Sequence, residues 1–206
     1  MSGDIAKRYL RMPHAAPGMA VGLFGGSFNP PHEGHRLVAE TALRRLRLDA
    51  LWWIVTPGNP LKAGREQSVL AERLALSERL ARDPRIKVTA FEAGASVRYT
   101  ADTIELARSR NPGVDFVWIM GADNLRDFHL WQRWRDIARS VPIAIVDRPG
   151  STLSFLSARM AQTFSRHRVD ETDAGRLARM RPPAWTFIHG PRSSLSSTAI
   201  RAGQIS

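Results

Sequence analysis

The stretch MAVGLFGGSFNPPHEGH, residues 19–35, decides the fold. Its first six residues (19–24) are almost wholly apolar, and Gly25-Gly26 stops them, which is the pattern of a short strand buried on both faces. Asn29, Pro30 and Pro31 follow, residues that favour turns and interrupt regular elements. Beyond them Leu37, Val38, Thr41, Ala42 and Leu46 recur at helical spacing over 36–47, with arginines on the other face. A buried strand, a glycine turn and an amphipathic helix form the first half of a strand–helix–strand crossover.

The same alternation runs outward through the chain. LWWIVT (51–56) reads as a second buried strand ended by PGNP. Leu70, Leu74, Ser77 and Ala81 mark a helix over 67–81, closed by Asp83-Pro84. IKVTAF (86–91) is a third strand, 101–110 a short helix before NPG, and DFVWIM (115–120) a fourth strand. Leu125, Phe128, Trp131, Trp134 and Ala138 predict a helix over 124–138, and PIAIV (142–146) a fifth strand. Leu153, Leu156, Met160 and Phe164 point to one more helix, after which the composition turns polar up to Pro182-Pro183. WTFIH (185–189) reads as a late edge strand and SLSSTAIR (194–201) as a short terminal helix. Strands written as continuous apolar runs, separated by helices, belong to a parallel sheet covered on both faces. Right-handed crossovers make this a doubly wound, Rossmann-like α/β domain with a short C-terminal helical element. Residues 1–18, with Pro13, Pro17 and Gly18, read as a flexible tail, and 19–206 as one domain.

Composition narrows the function. A chain of 206 residues with 43% apolar and 24% charged side chains has material for a core and is not disordered throughout. The absence of cysteine excludes disulfide scaffolds, thiolate metal sites and cysteine nucleophiles. No apolar run approaches the roughly 20 residues of a membrane span, and the N-terminal residues lack the apolar core of a secretory signal. The expected setting is cytoplasmic, without a membrane partner. Net charge is +11, and 27 of the 30 basic residues are arginine, which suits anionic ligands. The charges are scattered rather than blocked, so they do not by themselves mark a nucleic-acid surface.

In a doubly wound sheet, ligands sit beyond the carboxyl ends of the strands. After the first strand, GGSFNPPHEGH (25–35) is neither a GxxxxGK[ST] loop nor a GxGxxG fingerprint. Its physics is related: Gly25 and Gly26 allow close backbone approach, and the helix start offers unpaired N–H groups to an anion. His32 and His35, three apart, can face one spot. They can act as donors to phosphate oxygens, as an acid–base pair, or as part of a metal site completed by carboxylates; the glycines and the helix start favour phosphate. Lys62 in TPGNPLK (56–62) is a cation on a loop. In YTADT (99–103), Tyr99, Thr100 and Thr103 offer donors, and Asp102 is placed to cap a helix. In GADN (121–124), Asp123 can accept from ribose hydroxyls or cap the next helix. Ser196, Ser197 and Thr198 at a helix start, with Arg201 on the same face, make a second anion site.

Taken in order, GSFNPPHEGH, TPGNPLK, YTADT, GADN and SSTAIR resemble the bacterial nicotinate-nucleotide adenylyltransferases of the HxGH nucleotidyltransferase superfamily, over residues 20–202. Relatives acting on phosphopantetheine or glycerol phosphate usually read FD where this chain has Phe28-Asn29. The resemblance implies an enzyme of NAD biosynthesis that moves AMP from ATP to nicotinate mononucleotide. It implies His32, His35, Lys62 and Arg201 as the catalytic set. Gly25, Gly26, Ser27, Phe28, His35, Gly121, Asp123, Arg148, Ser196, Ser197, Thr198 and Arg201 would bind ATP. Ser27, Asn29, Lys62, Tyr99, Thr100 and Trp131 would bind the mononucleotide, with Trp131 stacked on the pyridine; on its stripe alone Trp131 reads as core. Magnesium would arrive with ATP rather than in a protein cage. Many members continue past the SSTxIR stretch with a final helix, where this chain has AGQIS. Nicotinamide mononucleotide or phosphopantetheine as acceptor, and a non-catalytic nucleotide- or RNA-binding module, stand as alternatives. No heptad or apolar stripe identifies a subunit interface, which leaves monomer and homodimer both open.

Overall fold

The computed structural model describes residues 5–57, 70–95, 97–147 and 157–190. Six strands, β1 (Ala20–Gly26), β2 (Ala50–Val55), β3 (Ile86–Thr89), β4 (Asp115–Gly121), β5 (Ile143–Val146) and β6 (Trp185–Ile188), form one sheet in the order β3-β2-β1-β4-β5-β6. Every neighbouring pair is parallel. The chain builds outward from β1 to β3, then returns across the sheet to start β4 on the other side of β1. That reversal opens a crevice beyond the ends of β1 and β4.

Both faces of the strands are buried, which is why the runs are apolar without alternation. Val21, Leu23, Trp52, Trp118, Ile143 and Phe187 point to one side, packing with Ile104 of α4 (Thr100–Arg110) and Ile137 of α6 (Trp134–Ser140). Phe24, Leu51, Trp53, Ile119 and Val146 point to the other, packing with Val38 and Leu43 of α1 (Glu33–Arg45) and Leu74 of α2 (Leu70–Leu80). The edge strand β3 exposes Lys87, a charge that discourages further strand pairing.

Several sequence expectations are corrected. The third strand stops at Thr89, and Phe91 opens a short helix, α3 (Phe91–Ala95), its N–H taken by the Thr89 hydroxyl at 3.1 Å. The expected helix over 124–138 is broken into α5 (Ala122–Leu125), a 3-10 turn (Phe128–Leu130) and α6. Trp131 lies in an extended link between them, and Arg133 sits at φ 55, a left-handed residue that turns the chain back. Helical spacing is kept on average, but the indole of Trp131 is delivered by the break. Of the stripe from Leu153 to Phe164, helix α7 spans only Arg159–Thr163, and Leu153 and Leu156 lie outside the described residues. The polar stretch that follows is a pair of 3-10 segments, Ser165–His167 and Glu171–Arg179, and the second buries Ala174 and Leu177 against the sheet.

Residues 5–18 do not behave as a tail. A 3-10 turn, Lys7–Leu10, lies on α3 and β3. The Tyr9 carbonyl accepts from the Ala90 N–H at 2.7 Å, and the Thr89 hydroxyl is within 3.1 Å of Tyr9 O and 3.0 Å of Arg11 O. Met12, Ala15 and Met19 pack on the core, and Gly18 N–H bonds Gly113 O at 2.7 Å. The approach to α3 is so close that a Cβ on Gly94 would stand 2.6 Å from the Leu10 carbonyl oxygen. This segment is a strap across the edge of the sheet.

Candidate active site

Because the sheet is parallel, the carboxyl ends of all strands share one edge, where α1 follows β1 and α5 follows β4. The turn from β1 into α1 is the most tightly determined part. Phe28 takes the left-handed region (φ 44), and the Asn29–Pro30 peptide is cis. His32 is the N-cap of α1: its Nδ1 accepts the Gly34 N–H at 3.1 Å, while Nδ1 of His35 accepts the His32 N–H at 3.2 Å. This is a capping box in which two imidazoles play the parts usually taken by Ser or Thr and Glu. With both Nδ1 atoms accepting, each neutral ring carries its proton on Nε2. The rings lie 3.8 Å apart between centroids.

His32 is buried and His35 partly exposed. Phe28 is buried, its ring meeting His35 edge-on at 4.9 Å and packing on Phe24 and Trp53. The side chain of Phe28 therefore supports the histidine from below, leaving its backbone to line the turn. The two glycines are likewise explained by packing. A Cβ on Gly25 would come within 2.6 Å of the Trp118 ring, and one on Gly26 within 3.1 Å of Phe28. Glu33, between the histidines, is bonded by Arg36, which also reaches Glu40 at 3.1 Å. The Arg36 guanidinium holds the Glu33 carboxyl below its usual range, so its negative charge is already matched where an anion would approach.

Two further elements complete the edge. Tyr99, the residue before α4, is 51% exposed, and Thr100 opens the helix. Asp102 is not a cap: it pairs with Arg133 at 3.3 Å. Arg133 also bonds Glu105 and, at 3.2 Å, Asp136, which ties the first turns of α4 to the start of α6 and raises the guanidinium pKa. Trp131, just before this tie, meets Trp118 edge-on at 6.3 Å and Phe128 at 5.2 Å. Trp118 thus stands between Gly25 and Trp131, linking the β1 exit to the aromatic link. Gly121 is buried at the end of β4, where it is the N-cap of α5, and Asp123 is exposed in the first turn rather than capping it. Ser27 is exposed and Asn29 half-buried in the turn. Lys62, Arg148, Ser196, Ser197, Thr198 and Arg201 lie outside the described residues.

Arg73 and Glu92 belong to this edge and were not among the expected residues. Arg73 of α2 is 2% exposed, and its Nη1 donates to Ser27 O at 2.6 Å and Thr56 O at 2.8 Å, with Nη2 3.3 Å from Pro57 O. Burial lowers its pKa, yet a guanidinium stays charged, so a fixed positive charge lies under the exits of β1 and β2. A signal existed: position 73 falls on the apolar face marked by Leu70, Leu74 and Ser77. Glu92 carries no such signal.

The sequence pattern of the cytidylyltransferase-like family matches residues 23–203. A probable nicotinate-nucleotide adenylyltransferase of Mesorhizobium japonicum is 73% identical over 190 residues, 92% of this chain and 97% of that one. The chain belongs to the nicotinate-nucleotide adenylyltransferase family. A second member of that family, from Brucella abortus, is 72% identical over 187 residues, 91% of this chain and 96% of its own length. Among solved structures, the nicotinic acid mononucleotide adenylyltransferase of Plasmodium falciparum complexed with NaAD superposes with a TM-score of 0.67 at 15% identity, covering 88% of this chain and 82% of that chain. At that identity the likeness speaks for the fold.

Proposed function

We propose that this chain transfers AMP from ATP to nicotinate mononucleotide, forming nicotinate adenine dinucleotide and pyrophosphate in NAD biosynthesis. The observation that carries the chemistry is the histidine capping box at the start of α1, at the reversal point of the sheet. Membership of the family carries the choice of acceptor. A 5′-phosphate oxygen of the mononucleotide attacks the α-phosphorus of ATP, the bond from that phosphorus to the bridging oxygen breaks, and pyrophosphate leaves with the electron pair. No protein nucleophile is needed. His32 and His35, each with its proton on Nε2, are donors to oxygens that gain charge in the transition state, and the N-terminus of α1 adds its dipole.

The remaining assignments follow the same edge. The β1 exit, Gly25 through Asn29, lines the cleft floor, with Ser27 and Asn29 toward the mononucleotide. Tyr99 and Thr100 supply donors to the pyridine carboxylate, Trp131 stacks on the ring, and Gly121 and Asp123 hold the ATP ribose. Lys62, Arg148, Ser196, Ser197, Thr198 and Arg201 are assigned to the phosphates and adenine from the sequence pattern. Magnesium is expected to be held by the ATP phosphate oxygens. Among the described residues no group of three or more histidines and carboxylates is placed to hold a metal. No helix among the described residues is long and apolar enough to cross a membrane. A cytoplasmic setting, where ATP is available, goes with this reading.

The test is pyrophosphate release with ATP and magnesium, run in parallel with nicotinate mononucleotide, nicotinamide mononucleotide and phosphopantetheine, with product mass read out. Preference for nicotinate mononucleotide is expected. Preference for either other acceptor overturns the pocket assignment while keeping the chemistry. ATP binding without turnover of any of the three would make the chain a nucleotide-binding module.

A further inference from the structure

Glu92 is 4% exposed on α3, and the hydroxyl of Thr103 is its carboxyl's hydrogen-bond partner among the described residues, 2.6 Å from Oε1. Thr103 is fully buried on α4. Its Oγ1 also lies 3.1 Å from the carbonyl oxygen of Tyr99, which accepts the Thr103 N–H at 3.0 Å as well. A hydroxyl has one proton and here faces two acceptor groups. If Glu92 were a carboxylate, the Thr103 proton would turn to it and the Tyr99 carbonyl would lose the hydroxyl. If Glu92 is a carboxylic acid, its O–H donates to Thr103 Oγ1, and the Thr103 O–H donates to Tyr99 O. The first arrangement leaves the Tyr99 carbonyl only the Thr103 N–H. The second adds the hydroxyl and spares a carboxyl buried to 4% exposure, with no cation bonded to it among the described residues, from carrying charge.

We infer that Glu92 acts as a neutral acid and is a positioning residue for the Tyr99-Thr100 corner, so that its proton governs binding of the pyridine carboxylate. This role rests on the proposed function, in which that corner receives the carboxylate. The surroundings agree. Burial pushes Glu92 up to about 7, opposed by the Thr103 hydrogen bond. The charged groups on the elements around it are engaged elsewhere or exposed. Arg8 of the strap is bound to Glu78, Arg11 and Arg98 are exposed, and Asp102 and Glu105 of α4 are drawn to Arg133. A neutral Glu92 also keeps a second negative charge away from an anionic ligand.

The experiment compares the full chain with Glu92→Gln, whose amide keeps the donor and cannot ionise. KM for nicotinate mononucleotide and for ATP is measured from pH 6 to pH 8.5. The phosphate of the mononucleotide titrates in the same region, so the readout is the ratio of parent to variant, in which that titration cancels. The ratio for the mononucleotide is expected to stay near one at low pH and to rise about fivefold with a midpoint near 7. The ratio for ATP is expected to stay flat. A mononucleotide ratio that does not change with pH overturns the proposal, because a merely structural side chain would give that result. Infrared spectra supply a readout without turnover: the carbonyl stretch of a protonated carboxyl, absent from Glu92→Gln, should be present at pH 6 and fade through 7. Its absence at pH 6 also overturns the proposal. Thr103→Val, which breaks the same chain of bonds, should raise the mononucleotide KM at every pH; an unchanged KM at low pH sinks the relay. A chain that turns over no nicotinate mononucleotide overturns the proposed function and the binding role of Glu92 with it, while the infrared titration still reads the proton by itself.

Discussion

In the turn between β1 and α1, the bonds that fix the histidines close within two or three residues: His32 to Gly34, and His35 to His32. In the connection between β3 and α4, the bonds span much longer stretches. Thr103 reaches back 11 residues to Glu92, and Thr89 reaches 80 and 78 residues to the carbonyls of the strap. Both regions follow the carboxyl ends of strands in the same parallel sheet. The first holds its histidines by local bonds, with Arg73 and Trp53 supporting the turn from farther along the chain. Its chemistry needs that firmness, since a catalytic donor must hold its position to a fraction of an ångström. The second is organised by its supports, so its state can be altered by residues that never touch a ligand.

The largest effect should come from His35→Ala. Turnover is expected to fall about 100- to 1,000-fold, as when a preorganised transition-state donor is removed, with mononucleotide KM changing much less. Equal losses in both would place His35 in ground-state binding and erase the contrast. Next is the stability of the chain against pH. The folded chain keeps the Glu92 proton up to about 7, whereas an ordinary carboxyl releases it near 4.5. Between those values the folded state binds more protons, so stability falls as pH rises through the window and stays lower above it. The fall is about 3 kcal/mol, to be seen in urea midpoints and missing from Glu92→Gln; parallel curves for the two proteins would contradict it.

Gly94→Ala tests the support from a distance. Its Cβ would meet the Leu10 carbonyl oxygen at 2.6 Å, so the strap must shift. A cost of about 1–3 kcal/mol is expected, together with a higher KM for the mononucleotide and an unchanged KM for ATP. A rise in both KM values would show that the strap supports the whole edge. The smallest effect is assigned to Arg133→Ala. This cross-tie is exposed, and its loss should raise mononucleotide KM by about twofold or less; a tenfold change would mean that Trp131 depends on it.

These differences also explain what the sequence made legible. The strands and their parallel sheet could be anticipated because buried parallel strands announce themselves as unbroken apolar runs, and LWWIV or FVWIM admits little else; their order came only from the assembled fold. The histidine turn was legible because its bonds are local. Trp131 was misplaced on a continuous helix because the stripe from Leu125 to Ala138 keeps helical spacing while the backbone does not, Arg133 having left the helical region. The strap was misread because Pro and Gly mark loops, and whether a loop is held depends on partners such as Thr89 that lie far away in the chain. Glu92 was invisible for the same reason: its burial and its bond to Thr103 are properties of the assembled fold.

The three carbonyls gathered by Arg73 have one more consequence. Ser27 follows β1, Thr56 and Pro57 follow β2, and the Thr56 N–H is itself bonded to Gly26 O at 3.0 Å. Neither loop can lift away without stripping hydrogen bonds from a buried cation, so the two should open as one cooperative unit. In deuterium exchange, the amides on both sides of that guanidinium would then lose protection together, at a rate set by Arg73 rather than by either loop.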